Sequence, residues 1–227
     1  MSRAPSQPDR TIRWSRRRLV SSFSALGIAL AAGRGSEAVD SREDRDGRRQ
    51  DRFCNVVIDT ALGPIEVRLE LARAPISSGD FLKYVDRGLY AGGAFYRTVR
   101  PDIDPNPIKI EVVQGGLTDE GKYLPPIAHE STHHTGLRHR NGTLSIARDA
   151  VGTGTAGAFF ICIGDQPELD FGGKRNPDGQ GFAPFGQVTS GMKRLHAIWS
   201  MKTQGPKGSS GGELIASPVA ILGARRV

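Results

Sequence analysis

Three short apolar runs lie between Asn141 and Met192: Gly142-Thr143-Leu144-Ser145-Ile146-Ala147, then Ala158-Phe159-Phe160-Ile161-Cys162-Ile163, then Phe185-Gly186-Gln187-Val188. Gly-rich segments separate them, Glu168-Leu169-Asp170 precedes the third, and Gly191-Met192 closes the stretch. Apolar runs of this length bounded by Gly read as β-strands. In the second run, alternation puts Ala158, Phe160 and Cys162 on one face and Phe159, Ile161 and Ile163 on the other.

The flanking sequence repeats the pattern. Phe53 to Thr60 centres on Val56, Val57 and Ile58, and Leu62-Gly63-Pro64 reads as a turn. Ile65, Val67 and Leu69 then alternate with Glu66, Arg68 and Glu70, the signature of a half-buried strand and, with the first run, of a hairpin. Pro75 suits the first position of a helix, since its fixed φ is already helical. Phe81, Leu82, Val85 and Leu89 carry that helix, and Gly88 ends it. Phe95-Tyr96-Arg97 begins another strand. A Pro-rich loop runs from Pro101 to Pro107, and Ile110 to Gln114 is a strand ending in a Gly115-Gly116 turn. Met192 to Trp199 reads as a second helix with Leu195 and Ile198 inward, and Glu213 to Leu222 as a last strand. Many strands at short intervals with two helices predict a mainly β chain built as an antiparallel barrel, not a βαβ sheet.

The charge is unevenly spread. The chain has 227 residues and a net charge of +7. Residues 1–52 hold 12 Arg and 7 acids, a balance of +5, which leaves +2 for residues 53–227. A nucleic-acid partner requires a basic patch on the folded domain, so none is expected. Ser15-Arg16-Arg17-Arg18 precedes an apolar run from Leu19 to Ala32, whose 14 residues fall short of the roughly 20 that span a bilayer. The run suits the apolar region of an export signal, with Ala29-Leu30-Ala31 as a small-residue cleavage site and the paired Arg resembling a twin-arginine signal. Residues 1–32 are therefore expected to be a signal peptide, leaving no stable membrane span after cleavage; an uncleaved anchor or a plain basic tail stay open. Residues 33–52, charged and nearly free of large apolar side chains, are expected to be a disordered linker, and residues 53–227 the folded domain. Cys54 and Cys162, the two cysteines, each sit in a strand-like run. They suit small core residues as free thiols, with a bridge open in an exported protein.

The blocks quoted above resemble the cyclophilin family of peptidyl-prolyl isomerases, whose central segments read G-x-L-S-M-A, Q-F-F-I, L-D and F-G-x-V-x-x-G-M. The resemblance runs from about Phe53 to the C-terminus. It implies a closed antiparallel eight-stranded barrel capped by two helices. It also implies catalysis of rotation about Xaa-Pro bonds in proline-containing polypeptides by a monomer with no cofactor and no metal. By resemblance Arg97 is the catalytic arginine, Gln114 its partner and contact for substrate backbone, and Phe160 the floor of the proline pocket. Val112, Ala147, Ala158, Leu169 and Tyr96 match substrate-binding positions. An apolar pocket grips the ring, and a stiff, always-charged guanidinium can donate to the nitrogen of the twisted amide.

This chain departs from the family at several of these points. Tyr96 replaces His, Ala158 replaces Gln, and Asp80 stands where Asn is usual. Glu111 stands where an aromatic wall is common. No His lies between Arg140 and Leu195, so the pocket His of the family has no counterpart after Leu169-Asp170. The insertion Phe171–Ala183 rewrites that wall. Glu168 replaces the drug-contacting Trp, which implies weak cyclosporin binding. The altered rim keeps a second reading open, a proline-peptide binding module with little turnover.

A rival pattern crosses the same region. His129-Glu130-Ser131-Thr132-His133, followed by Gly136 and His139, fits the zinc-ligand motif of metzincin proteases, with Glu130 as general base. That chemistry needs His129 and His133 one turn apart on a stable helix. Pro125-Pro126 upstream and Ser131, Thr132, Thr135 and Gly136 within limit any helix here to short turns. The segment is therefore expected to be a loop.

Overall fold

A computed structural model of the chain describes residues 52–205 and 210–227. The expected signal peptide, 1–32, and the expected linker, 33–52 apart from Arg52, lie outside the described residues. Among the described residues no helix is long and apolar enough to cross a membrane.

The chain opens with the hairpin of β1 (Phe53–Thr60) and β2 (Gly63–Glu70), registered from Phe53 opposite Glu70 to Thr60 opposite Gly63. Gly63 has φ +102°, a conformation that selects glycine. Helix α1 (Pro75–Asp86) follows, then β3 (Ala94–Val99), β4 (Val112–Gly116), the single turn α2 (Thr132–Thr135), β5 (Thr143–Ile146), β6 (Ala158–Cys162), β7 (Ala183–Ser190), α3 (Met192–Trp199), a two-residue β8 (Thr203–Gln204) and β9 (Leu214–Arg226). All pairings are antiparallel. The order β1-β2-β7-β5-β6-β4-β3-β9 closes through β1 with β9, and β8 pairs with β9. This is the expected eight-stranded barrel. Gly115 and Gly116, expected to turn, stay in β4 opposite Phe159 and Ala158; a Cβ on Gly115 would meet the Phe95 ring at 2.6 Å, which accounts for glycine within the strand.

The strand alternation separates two apolar clusters. Inward residues such as Val56, Ile65, Val67, Leu144, Phe159 and Ile161 form the main core with Phe81, Tyr84 and Val85 of α1 and Leu195 and Ile198 of α3. Phe81 anchors an aromatic group, 5.1 Å from Tyr90, 5.3 Å from Phe185 and 5.5 Å from Phe159 between ring centroids. The outer face of the same wall carries a smaller cluster of Val99, Ile110, Val112, Phe160, Cys162 and Leu169. Phe160 and Cys162 thus lie opposite Phe159 and Ile161, as the alternation in β6 predicts. Both cysteines are free; Cys162 is buried, whereas Cys54, near the start of β1, is only partly buried.

The zinc-motif residues do structural work instead. The backbone N–H groups of Ile76 and Ser77 donate to the Glu130 carboxylate at 3.1 and 2.6 Å. They belong to the first turn of α1, whose N-cap, Ala74, supplies no side-chain acceptor. Glu130 therefore caps α1 from 53 residues away. His129 Nε2 contacts the Gln180 carbonyl, the His133 ring packs on Phe171, and α2 is four residues long. No three His, Cys, Asp or Glu among the described residues converge to hold a metal.

Candidate active site

A cavity of about 570 Å³ opens on the outer face of the barrel wall. Its lining includes all eight residues expected from the sequence: Arg97, Gln114, Phe160, Val112, Ala147, Ala158, Leu169 and Tyr96. Register explains why three of them meet. Arg97 of β3 sits opposite Gln114 of β4, and Gln114 sits opposite Phe160 of β6. Directly opposed residues share a face, so the three side chains form a row across three strands.

Simple alternation would have hidden the arginine. Phe95 is fully buried in the core, and two residues on Arg97 would point inward as well. Between Phe95 and Arg97, β3 advances two residues while β4 advances one, from Gly115 to Gln114. This β-bulge at Tyr96 turns both Tyr96 and Arg97 to the cavity, the re-aiming of a side chain that bulges characteristically provide.

Hydrogen bonds hold the row. Arg97 Nη1 donates to Gln114 Oε1 at 2.7 Å, and Gln114 Nε2 donates to Tyr96 Oη at 3.0 Å. Arg97 Nε and Nη2 donate to Glu213 Oε2 at 3.0 and 2.7 Å. A guanidinium has five N–H donors; among the described residues these bonds engage three, leaving one on each terminal nitrogen. Burial raises the Tyr96 phenol above its ordinary pKa, so it stays neutral.

The apolar end combines Val99, Ile110, Val112, Phe160, Leu169 and Phe182. Phe182 meets Phe160 edge-on with ring centroids 5.1 Å apart, and the Arg148 guanidinium lies 5.3 Å from the Phe182 centroid. Ile110, not Glu111, supplies the wall expected near Glu111, while the Glu111 N–H donates to Gln166 Oε1. Ile110 and Val112 share a face because alternation sends Glu111 the other way. The insertion takes part through Arg175, Asn176 and Pro177, which line the cavity, and Arg175 Nη1 donates to the buried Asp104 carboxylate at 2.6 Å. Asp80 of α1, buried, accepts from Ala156 N and Thr155 Oγ1, fixing the loop whose Thr155 also borders the cavity.

His139 gives the floor its backing. It is buried and lies nearly parallel to Phe160, at 17° and 6.0 Å between centroids. Nδ1 lies 2.8 Å from Asp170 Oδ1 and Nε2 3.0 Å from Ser145 Oγ. Burial holds the His139 pKa below the usual histidine value, so the neutral ring donates through Nδ1 and accepts from the Ser145 hydroxyl. Burial opposes the charge on Asp170, but its hydrogen bonds from His139 outweigh that and keep its pKa low.

Similarity to known proteins agrees with this geometry. A family model described as cyclophilin type peptidyl-prolyl cis-trans isomerase/CLD matches residues 55–224. The chain belongs to the cyclophilin family. As a cyclophilin it is a peptidyl-prolyl cis-trans isomerase. It is 31% identical over 153 residues to peptidyl-prolyl cis-trans isomerase A of Dickeya dadantii, covering 66% of this chain and 73% of that protein. It is 32% identical over 173 residues to peptidyl-prolyl cis-trans isomerase cyp18 of Streptomyces antibioticus, covering 75% and 96%. A crystal structure of a Cryptosporidium parvum cyclophilin type isomerase superposes with a TM-score of 0.58 at 19% identity, over 77% of this chain and 98% of that one, a likeness of fold. Sequence reasoning missed three features of this cyclophilin's site: Glu213, Phe182 and the stacked His139. Phe182 alone carried a usable signal, as the large apolar residue in an otherwise polar, Gly-rich insertion.

Proposed function

We propose that Arg97 is the electrostatic catalyst of Xaa-Pro isomerisation in this cyclophilin, with Gln114 orienting it and the substrate backbone, and Phe160 forming the floor under the proline ring. Val112, Ala147, Ala158, Leu169 and Tyr96 complete the substrate-binding wall. The barrier to rotation, roughly 18–20 kcal/mol, arises from amide resonance. The substrate nitrogen loses that resonance as the bond twists, and its lone pair becomes an acceptor. A guanidinium N–H fixed nearby, in a cavity that excludes water from the amide, stabilises the twisted state more than the planar one. A hundred-thousand-fold acceleration needs only about 7 kcal/mol. No covalent intermediate is involved, and the step moves no proton.

The observation that carries this reading is the pair of Arg97 N–H groups uncommitted among the described residues, in the same cavity as Phe160 and directly opposite Gln114 on the neighbouring strand.

The protein is further proposed to act as a monomer on exported polypeptides. Residues 1–32 would serve as a twin-arginine-like signal peptide, 33–52 as linker and 53–227 as the isomerase domain. The twin Arg16-Arg17 before the Leu19–Ala32 apolar run supports this. Cell fractionation with N-terminal sequencing tests it: a mature N-terminus within a residue or two of Gly33 in the exported fraction is expected. Full-length protein confined to the cytoplasm would refute export without touching the enzymatic reading, whose own test is whether Arg97→Ala loses isomerase activity.

A further inference from the structure

We infer that Glu213 is the positioning residue that fixes the plane of the Arg97 guanidinium. The inference rests on the reading of Arg97 as the catalyst. Glu213 is 116 residues from Arg97 in sequence, and its side chain is 1% exposed while that of Arg97 is 30% exposed. A buried carboxylate is costly unless paired. Its Oε2 accepts from Arg97 Nε and Nη2, and its Oε1 has no partner among the described residues.

The backbone brings the pair together through a large register break. Phe95 sits opposite Val219, yet Arg97 sits opposite Leu214, so residues 215–218 of β9 leave the pairing with β3, and Ile215 pairs instead with Thr203 of β8. Pro218 lies in this excursion and has no N–H to pair. The break places Leu214 opposite Arg97 and Glu213 next to it, at the end of a 3₁₀ turn over Ser210–Glu213.

Two acceptors on different edges determine the plane of a rigid guanidinium. Gln114 Oε1 takes one Nη1 hydrogen; Glu213 Oε2 takes the Nε hydrogen and one on Nη2. One acceptor alone would leave the group free to swing about its stem. With both, the two unused N–H groups have one direction. The carboxylate also cancels much of the distant field of the guanidinium, so the cavity is offered directed donors more than bare charge.

The experiment compares full-length wild type with Glu213→Ala, Glu213→Gln, Arg97→Ala and Arg97→Ala/Glu213→Ala. Isomerisation of a short Xaa-Pro peptide gives kcat and KM, and the Arg97 Nε–H resonance reports the contact. Glu213→Ala is expected to lower kcat roughly 10- to 100-fold with KM little changed, as misplacement of a catalytic group does. The slowly exchanging Nε–H signal should disappear with it. Glu213→Gln keeps an acceptor oxygen and the shape, so it should restore both most of the turnover and the signal. In the Arg97→Ala background, Glu213→Ala should cost nothing more. A folded Glu213→Ala enzyme with wild-type kcat overturns the inference, as does an equal loss in the Arg97→Ala background. If Glu213→Ala does not fold, a Glu213→Gln enzyme that loses the Nε–H signal at unchanged turnover overturns it equally. Full turnover by Arg97→Ala would instead sink the underlying reading, a result recognisable because the wild-type Nε–H signal still marks the contact.

Discussion

The imidazole of His139 lies nearly parallel to the ring of Phe160, 17° from coplanar and 6.0 Å away, clamped between Asp170 and Ser145. The cavity floor is therefore backed by a neutral, hydrogen-bonded ring, not by aliphatic packing alone. Burial depresses the pKa of His139, and of His129 as well. A base with a depressed folded pKa binds fewer protons folded than unfolded. Stability from this source is complete above the unfolded histidine value of about 6.5 and is lost as pH falls below it. Thermal unfolding between pH 7.5 and 5 should show wild type losing stability on acidification and His139→Gln losing less. Equal pH slopes would contradict the assignment.

Arg97 also matters to stability. Removing it strands the buried Glu213 carboxylate. The cost should be about 2–3 kcal/mol, at or just below the low end of the range for breaking buried pairs because Arg97 is 30% exposed. Denaturant unfolding should place Arg97→Ala below wild type by this amount, and Arg97→Ala/Glu213→Gln above Arg97→Ala. If both variants unfold at the same denaturant concentration, Glu213 does not depend on Arg97.

Phe182 closes the apolar end of the cavity against Phe160. Aromatic pairs of this kind contribute about 0.5–1.5 kcal/mol beyond area, so Phe182→Ala should raise KM for a Xaa-Pro peptide by up to roughly tenfold. The change should fall on KM with kcat nearly kept, since Phe182 lies at the apolar end of the cavity beside Phe160 and carries no hydrogen-bond donor. A fall in kcat at constant KM would place Phe182 differently.

Much of this arrangement was legible in the sequence, for reasons that differ by residue. Phe160 and Val112 were singled out by resemblance, with the alternation in β6 agreeing for Phe160, whereas Pro75 and Leu195 were legible because helix signals are local. Arg97 was found by resemblance, since alternation from Phe95 would have turned it inward and only the bulge at Tyr96 exposes it. Glu213 was illegible because its partner is set by a register break in β9, and register breaks leave no composition signal. His139 was read within a zinc pattern because spacing in sequence is blind to where a loop points its side chains. Ile110 was passed over for Glu111 because the Pro-rich loop before it leaves the strand start uncertain by one residue, and one residue swaps the faces.

Glu168, which stands where a drug-contacting Trp is usual in the family, accepts from the Lys174 N–H at 2.8 Å and does not line the cavity. The protein should therefore bind cyclosporin weakly, with no saturation below micromolar concentration in a fluorescence or calorimetric titration. Sub-micromolar binding would show that the insertion supplies the missing contact.

The central claim is that one arginine, held beside an apolar pocket, accelerates rotation about a Xaa-Pro bond. Its most direct test is the isomerisation of a short Xaa-Pro peptide by full-length wild type and by Arg97→Ala, each with and without a chelator. Arg97→Ala should lose activity by about two orders of magnitude or more, in line with removal of a preorganised donor, and the chelator should change neither enzyme. Wild-type rates from a folded Arg97→Ala protein would contradict the account, as would activity that the chelator abolishes.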